Sequence, residues 1–463
     1  MRDPVQAIQE VLQRHPGGSI HLMGIGGVGM AGLASFLQHR GFQVSGCDLE
    51  TNRFTSRLQD ANITVRQGHD PAHLDADPIL LIRSTAVPKE HPEILRAHKR
   101  AIPVYRRGEV FPALLRDEYT IAISGTHGKT TTTALSAHVL RACGRSPCYF
   151  VGGEWGEAGR VFDAGTESMV IAEADESDGT LIHYRPNVSV ITGIDYDHME
   201  HFADETEFVG VFRRFIEQTT DRTIICADDA RLRSLVTEHT QTISYGFASD
   251  ADVRATEIEE SAERTSFTVA VDGSDAGRFV LPLAGRHNVQ NALTALAVAQ
   301  HLKIPMEQAG AALSTFRPVR RRFERLGAWH GVPVYSDYAH HPTEIKALIG
   351  AARQLQPRRL LAIFQPHRYS RTRALGRDFP PAFAGVDHVV LAPIYAASEP
   401  PLEGGRLEDL ATHFREDARV SFEASDDLDH AWRLIEARAE PGDVLLLVGA
   451  GNIERLGVRV DQP

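Results

Sequence analysis

Lysine is scarce in this 463-residue chain: of 49 basic residues only Lys89, Lys99, Lys129, Lys303 and Lys346 are lysines, and arginine fills the rest. A position that keeps lysine against that bias asks for a compact ammonium on a flexible stem, which a planar guanidinium does not replace. Cysteine is also rare. Cys47, Cys143, Cys148 and Cys226 show no CxxC pairing; they read as reduced, mostly buried thiols, with one disulfide as the alternative. No run of about 18 apolar residues occurs, and the polar, amphipathic start of the chain lacks a signal-peptide core, so a cytoplasmic, soluble protein without membrane insertion is expected. Positive charge is in deficit. A net charge of −12 argues against nucleic acid or an anionic membrane as a partner, because both call for a basic face.

What remains is ordinary globular composition, 42% hydrophobic and 24% charged with 38 glycines, at a length that suggests about three domains. The most informative stretch is Ile121-Ala-Ile-Ser-Gly-Thr-His-Gly-Lys-Thr-Thr131. A β-branched run breaks at Gly125 and resumes as a helix headed by Lys129 and Thr130. Strand, glycine turn and helix N-terminus make a phosphate cradle: backbone N–H groups face the anion, Lys129 reaches the outer phosphates and the Thr130 hydroxyl can meet Mg²⁺. The loop is shorter than the usual eight-residue pattern, with Ile123 where that pattern places glycine. Gly125, Thr126, His127, Gly128, Lys129, Thr130 and Thr131 are therefore the candidate ATP-binding residues.

The first 115 residues read as one α/β unit. Ser19–Met23 runs as a strand into Gly24-Ile-Gly-Gly-Val-Gly29 and a helix from Met30 to about His39. This is a GxGxxG in strand–turn–helix context, with Asp48 at the spacing of an acid that meets a ribose hydroxyl. Whether the ligand is NAD or another nucleotide, the motif leaves open. Strands are expected at 79–83 and 102–105. Ser84 lies at a strand's C-terminal end, where open sheets bind ligands, although the following Pro88 fits a plain turn equally well.

The second unit, 116–317, has strands at 169–173 and 188–192 that end in Glu173-Ala-Asp-Glu-Ser-Asp178 and Asp195-Tyr-Asp-His-Met199. Acids past strand ends beside a phosphate loop suit Mg²⁺ capture, whereas either run alone would read as a solvated loop. Asn288 is expected to N-cap a helix running to about Leu302, with Asn291 one turn on. The third unit, 318–463, opens on an arginine run that includes Arg322. Strands at 333–336, 359–364, 387–391 and 443–448 alternate with helices as a further doubly wound sheet. Two strand ends carry chemistry: Ser336-Asp-Tyr-Ala-His-His-Pro-Thr-Glu344 and Phe364-Gln-Pro-His-Arg-Tyr-Ser-Arg-Thr-Arg373. The paired histidines lack a helical zinc spacing.

Taken together, Gly24–Met30, Gly125–Thr131, Glu173–Asp178, Asp197-His-Met199, Gly285-Arg-His-Asn-x-x-Asn291, Asp337–Glu344 and Phe364–Arg368 resemble the Mur ligases in all three units and in order. The resemblance implies three consecutive α/β domains: a Rossmann-like domain for UDP-N-acetylmuramate (1–115), a central P-loop ATP domain (116–317) and a C-terminal amino-acid domain (318–463). It implies ATP-dependent joining of L-alanine to the lactyl carboxylate of UDP-N-acetylmuramate through an acyl phosphate, in peptidoglycan precursor synthesis. The alternative is a recycling ligase that takes murein tripeptide. An oxidoreductase built on the first glycine loop would leave the phosphate loop without a task.

Carried over residue by residue, Lys129, Glu173, His198, Asn288, Asn291, Arg322 and Asp337 are implied to be catalytic, and Asn288, Asn291, Arg322 and Asp337 also address ATP. Thr130, Glu173 and His198 would hold Mg²⁺. Gly26, Gly27, Gly29, Asp48 and Ser84 would hold the UDP-sugar, and Tyr338, His340, His367 and Arg371 the amino acid, with Arg371 forking onto its carboxylate. Small-molecule substrates are the implied partners, for a monomer or weak homodimer. The family's alanine-adding members commonly read Asp-Asp-Tyr-Gly-His-His. Here Ser336 removes one negative charge and Ala339 is expected to stiffen the turn beside the pocket. No lysine lies between Lys129 and Lys303, which implies a second metal site without a lysine carbamate.

Overall fold

The computed structural model describes residues 3–195, 202, 204–237, 240–397, 399–417 and 419–461. Their strands form three sheets. The first comprises Ser19–Met23, Gln43–Asp48, Thr64–Gln67, Leu80–Arg83 and Val104–Arg106, with the earliest strand in the centre and every pairing parallel. Parallel strands require crossovers, and the helices that supply them cover both faces; hence the nearly unbroken apolar runs Ile20–Met23 and Leu80–Ile82. The order reverses beside Ser19–Met23, which opens a crevice at that strand's C-terminal end.

The second sheet has ten strands. Tyr119–Ser124 lies between Val188–Ile191 and Met169–Glu173, parallel to both. Sequence periodicity did not reveal its outer parts, the hairpin Cys148–Trp155 with Arg160–Asp163 and the run Val253–Glu260, Thr265–Val271 and Ser274–Leu281. Cys148–Trp155 is a buried apolar run broken by Gly152 and Gly153, whereas the other strands are half-exposed and charge-bearing and carry no strong apolar signal. In the third sheet the order is Glu324–Trp329, Val332–Asp337, Val444–Val448, Leu360–Phe364, His388–Leu391 and Ser421–Ala424, antiparallel only at the first pair.

The chain condenses into two compact units. One holds the chain up to Thr256, Val269–Gly277 and Gln290–Leu313; the other holds Glu257–Thr268, Arg278–Val289 and the chain from Ser314. Within the former, the first two sheets are joined by rings and charge. Phe150 meets Phe36 at 5.0 Å and Phe111 at 4.6 Å. Nearby, the buried carboxylate of Glu154 takes Arg53 and Arg57, each at 2.6 Å. In the other unit the core is a two-sided sandwich: Phe364, Phe379, Phe383 and Phe414 fill one face, and Trp432 with Ile363 and Leu447 fills the opposite one. All four cysteines are free thiols. Among the described residues no helix is long and apolar enough to cross a membrane.

Candidate functional site

The glycine loop after Ser19–Met23 is held by its neighbours. Gly24 has φ +76°, and a Cβ there would stand 2.8 Å from the Ser84 Cβ, so Ser84 and the loop share the crevice. The carboxylate of Asp48 accepts the Gly26 N–H at 2.8 Å, and Asn52 donates to the Gly26 carbonyl at 3.1 Å. Asp48 thus shapes the loop itself. Gly27 caps the helix Val28–His39, which begins two residues earlier than expected, and a Cβ on it would meet nothing nearer than 3.6 Å. Sterics within the chain do not require that glycine. Gly29 faces Arg107, whose guanidinium would lie 3.2 Å from an added Cβ. Asn52 and Arg107 carry no local motif and were invisible to sequence reading.

In the phosphate loop, Gly125 (φ +125°) would clash through a Cβ with the Thr192 hydroxyl at 2.2 Å, and Gly128 (φ +80°) with Asn291 Oδ1 at 2.5 Å. Neither position accepts an L side chain. The helix Lys129–Ala142 starts directly at Gly128, with Thr130 and Thr131 buried in its first turn. Thr126 is tied in both directions: its N–H donates to Gly193 O at 2.9 Å and its hydroxyl accepts Asp195 N–H at 2.9 Å. His127 Nε2 meets the Asp195 carboxylate at 3.1 Å. Asn291 is buried and accepts from the Thr132 hydroxyl at 3.1 Å, which ties it to the helix that follows the loop.

Lys129 Nζ donates to Gly125 O at 2.6 Å, Thr126 O at 3.3 Å and the fully buried Glu176 carboxylate at 2.8 Å. Burial by itself would depress this ammonium; the charges of Glu176, Asp175 and Glu173 and the bond to Glu176 outweigh it and hold its pKa above the ordinary lysine value. The acid that engages the lysine is therefore Glu176, a residue the sequence offered only as part of the acidic run Glu173–Asp178. Glu173 ends its strand opposite Ile123 and accepts Gly152 N–H at 2.9 Å. His198 lies outside the described residues.

The expected N-cap at Asn288 is corrected. Gly285, with φ +95°, turns the chain, and the helix Arg286–His301 starts before Asn288, whose side-chain amide donates back to the Ala284 carbonyl at 2.8 Å. The glycine turn starts the helix earlier than the asparagine spacing suggested.

At the strand ends of the third sheet, Asp337 accepts N–H groups of Phe323 and Ala339, both at 2.7 Å. Burial raises its pKa against the opposing effects of Arg322 and those two donors. Ala339 is buried in the core and lies outside the left-handed region, so the family's glycine is not conformationally required here. Ser336 is buried, and its hydroxyl has no hydrogen-bond partner among the described residues. Tyr338, with Arg321 and Arg322 over its ring at 5.0 and 5.4 Å, meets His340 edge-on at 5.6 Å. His340 tilts against His367 at 5.8 Å, which stacks on Tyr395 at 5.6 Å. Arg371, buried on the helix Tyr369–Leu375, points a guanidinium nitrogen at His367 Nδ1, 3.4 Å away. Burial, then the neighbouring His340 and Arg371, push His367 down to about 2, so its ring is neutral. All four residues expected at the amino acid lie in one cluster.

Three family descriptions match in chain order: Mur ligase family, catalytic domain over residues 19–119; Mur ligase middle domain over 123–299; and Mur ligase, glutamate ligase domain over 321–451. The UDP-N-acetylmuramate–L-alanine ligase of Syntrophotalea carbinolica is 40% identical over 447 residues, covering 95% of this chain and 96% of that one. Its counterpart from Anaeromyxobacter is 39% identical over 443 residues, with 95% and 96% covered. The crystal structure of the Thermotoga maritima UDP-N-acetylmuramate–alanine ligase superposes with a TM-score of 0.81 at 28% identity, covering 96% of this chain and 98% of that one. A murein peptide ligase from Psychrobacter arcticus shares the fold, with a TM-score of 0.74 at 23% identity over 96% and 98% of the two chains. The chain belongs to the Mur ligase family.

Proposed function

We propose that this chain is the ATP-dependent ligase that joins L-alanine to the lactyl carboxylate of UDP-N-acetylmuramate. One observation carries the reading: relatives of that name match it over about its whole length, and the side chains such a reaction needs stand at the strand ends. A carboxylate resists an amine, so the lactyl carboxylate first takes the γ-phosphoryl group of ATP and ADP leaves. The amine of L-alanine then attacks the acyl carbon, and the tetrahedral intermediate expels phosphate. The first step brings anions together, so positive charge at the phosphates carries most of the catalysis.

Lys129 supplies that charge by turning from Glu176 to the outer phosphates, while the N–H groups of Gly125–Thr131 hold the rest of the chain of phosphates. Thr130 and Glu173 would offer oxygen donors of the kind Mg²⁺ takes, and His198, outside the described residues, would be a further ligand. When bound, the ion neutralises the phosphate oxygens. The glycines at 26, 27 and 29 with Asp48 and Ser84 hold the UDP diphosphate. Arg371 takes the alanine carboxylate as a bidentate pair beside the neutral His367, with Tyr338 and His340 in the same pocket. Asn288, Asn291, Arg322 and Asp337 position the nucleotide. We assign these parts to three domains, 1–115, 116–317 and 318–463, hinged near Glu118 and Pro318. Closure would bring them to one reacting centre.

The test is phosphate release with ATP, Mg²⁺ and UDP-N-acetylmuramate, with and without L-alanine, and with murein tripeptide as a second acceptor. Release that needs both UDP-N-acetylmuramate and L-alanine is expected; turnover restored by tripeptide alone would replace this reading with the recycling reaction.

A further inference from the structure

Behind the glycine loop of the first sheet lies a cluster the ligase reaction does not use. His21 projects from the central strand, Cys47 from the adjacent strand Gln43–Asp48, His73 from the short 3₁₀ turn Pro71–Ala76 and Glu93 from the first turn of the helix Pro92–Lys99. One ligand atom of each falls within 4.8 Å of the other three, and His21, Cys47 and Glu93 are buried. His21 Nε2 is 3.0 Å from Glu93 Oε1, His73 Nδ1 is 3.6 Å from Glu93 Oε2, and Cys47 Sγ is 3.7 Å from the same oxygen. Ligands about 2.0–2.3 Å from a tetrahedral zinc ion stand roughly 3.3–3.8 Å apart, so these separations need little adjustment.

Two further features favour a cation over a closed hydrogen-bond network. The Glu93 carboxylate has no lysine or arginine partner among the described residues; the two histidines and the Cys47 thiol face it. His21 Nε2 is buried and makes no well-aligned hydrogen bond, while its other ring nitrogen pairs with the Ser45 hydroxyl at 2.9 Å. That is the arrangement that fixes the tautomer of a metal-binding histidine. His69 Nδ1 lies 2.9 Å from the Cys47 sulfur, placed to donate to a thiolate.

We propose that His21, Cys47, His73 and Glu93 form a structural site for Zn²⁺ or a similar borderline transition-metal ion. One thiolate, one carboxylate and two neutral imidazoles neutralise a divalent ion, as a buried site requires. On binding, the thiol proton leaves to solvent as the sulfur–metal bond forms. The ion braces the strand end from which the glycine loop springs: the Cys47 carbonyl accepts the N–H groups of Gly24 and Ile25 at 2.8 and 3.2 Å. The next residue, Asp48, holds Gly26.

The experiment uses the full chain, stripped with a chelator and titrated with Zn²⁺ against a chromophoric competitor, and in parallel with Co²⁺ read by absorbance. One tight equivalent of Zn²⁺ per chain is expected. The Co²⁺ form should show a sulfur-to-cobalt charge-transfer band, which oxygen and nitrogen ligands elsewhere on the chain cannot produce. Cys47→Ser should abolish the band and weaken Zn²⁺ more than tenfold, a loss that changing even an outer partner of a metal site can cause. His73→Gln, at the more exposed edge of the cluster, should weaken Zn²⁺ while keeping the band. A wild-type Co²⁺ form without the sulfur band overturns the proposal, as does a band that survives Cys47→Ser; the cluster is then a buried histidine–glutamate pair beside an inert thiol.

Discussion

Replacing Glu176 by glutamine should unload the phosphate loop in a measurable way. The carboxylate is fully buried and the Lys129 side chain is 14% exposed, 2.8 Å away. Removing one partner of a buried pair costs about 3–5 kcal/mol. Two features reduce that here: glutamine keeps an acceptor for the ammonium, and Gly125 O and Thr126 O still receive it at 2.6 and 3.3 Å. A loss of about 1–3 kcal/mol follows, or roughly 2–12 °C in the midpoint if a domain of about 200 residues unfolds as one unit. The pH dependence has a definite sign. Because the folded Lys129 pKa is raised, its contribution is complete below the ordinary lysine value and is lost only as pH climbs through the raised one. The difference between wild type and Glu176→Gln should therefore be flat from pH 6 to 9. A double-mutant cycle with Lys129→Met, read by urea unfolding, isolates the pair. Coupling below about 0.5 kcal/mol would show that the pair contributes nothing, and the view of Lys129 as held in reserve by Glu176 would fall.

Gly125→Ala should abolish nucleotide binding in calorimetry, because its Cβ would lie 2.2 Å from Thr192 Oγ1 and 2.8 Å from backbone nitrogen at φ +125°; binding within threefold of wild type would contradict the loop geometry. Arg371→Lys keeps the charge but not the fork, so KM for L-alanine should rise about 10–100-fold with KM for ATP unchanged, as steady-state kinetics would show. His367 is held neutral by burial and by His340 and Arg371, so unfolding takes up a proton at this residue once pH falls below the ordinary histidine value. Its contribution is complete above about pH 6.5 and is lost toward acid with a slope of at most about 1.4 kcal/mol per pH unit. Urea unfolding of wild type and His367→Asn at pH 7, 6 and 5 should show the variant with the shallower acid slope.

The strands that carry chemistry were legible because each is a short, buried, β-branched or leucine-rich run that stops at a polar cluster. Tyr119–Ser124, Met169–Glu173 and Leu360–Phe364 fall within a residue or two of their expected bounds. The identity of the acid facing Lys129 was not legible. Glu173 closes a strand and its side chain follows the pleat toward Gly152, whereas Glu176 lies beyond the strand end, where the backbone direction is set by the turn and by no periodicity. The same limit hid Asn52 and Arg107, which reach their glycines from other elements.

Asp48 has a structural role that its motif does not announce. The spacing that marks a ribose-binding acid also puts a carboxylate beside the Gly26 N–H. A fixed negative charge there lies next to the expected site of a diphosphate, so the loop needs compensating positive charge, and Arg107 packed on Gly29 stands where it can supply it. The phosphate loop repeats the arrangement with opposite sign, a cation, Lys129, held by the buried Glu176. In both loops a glycine turn leaves room for an anion, and a carboxylate from an adjacent strand or loop fixes the groups around it.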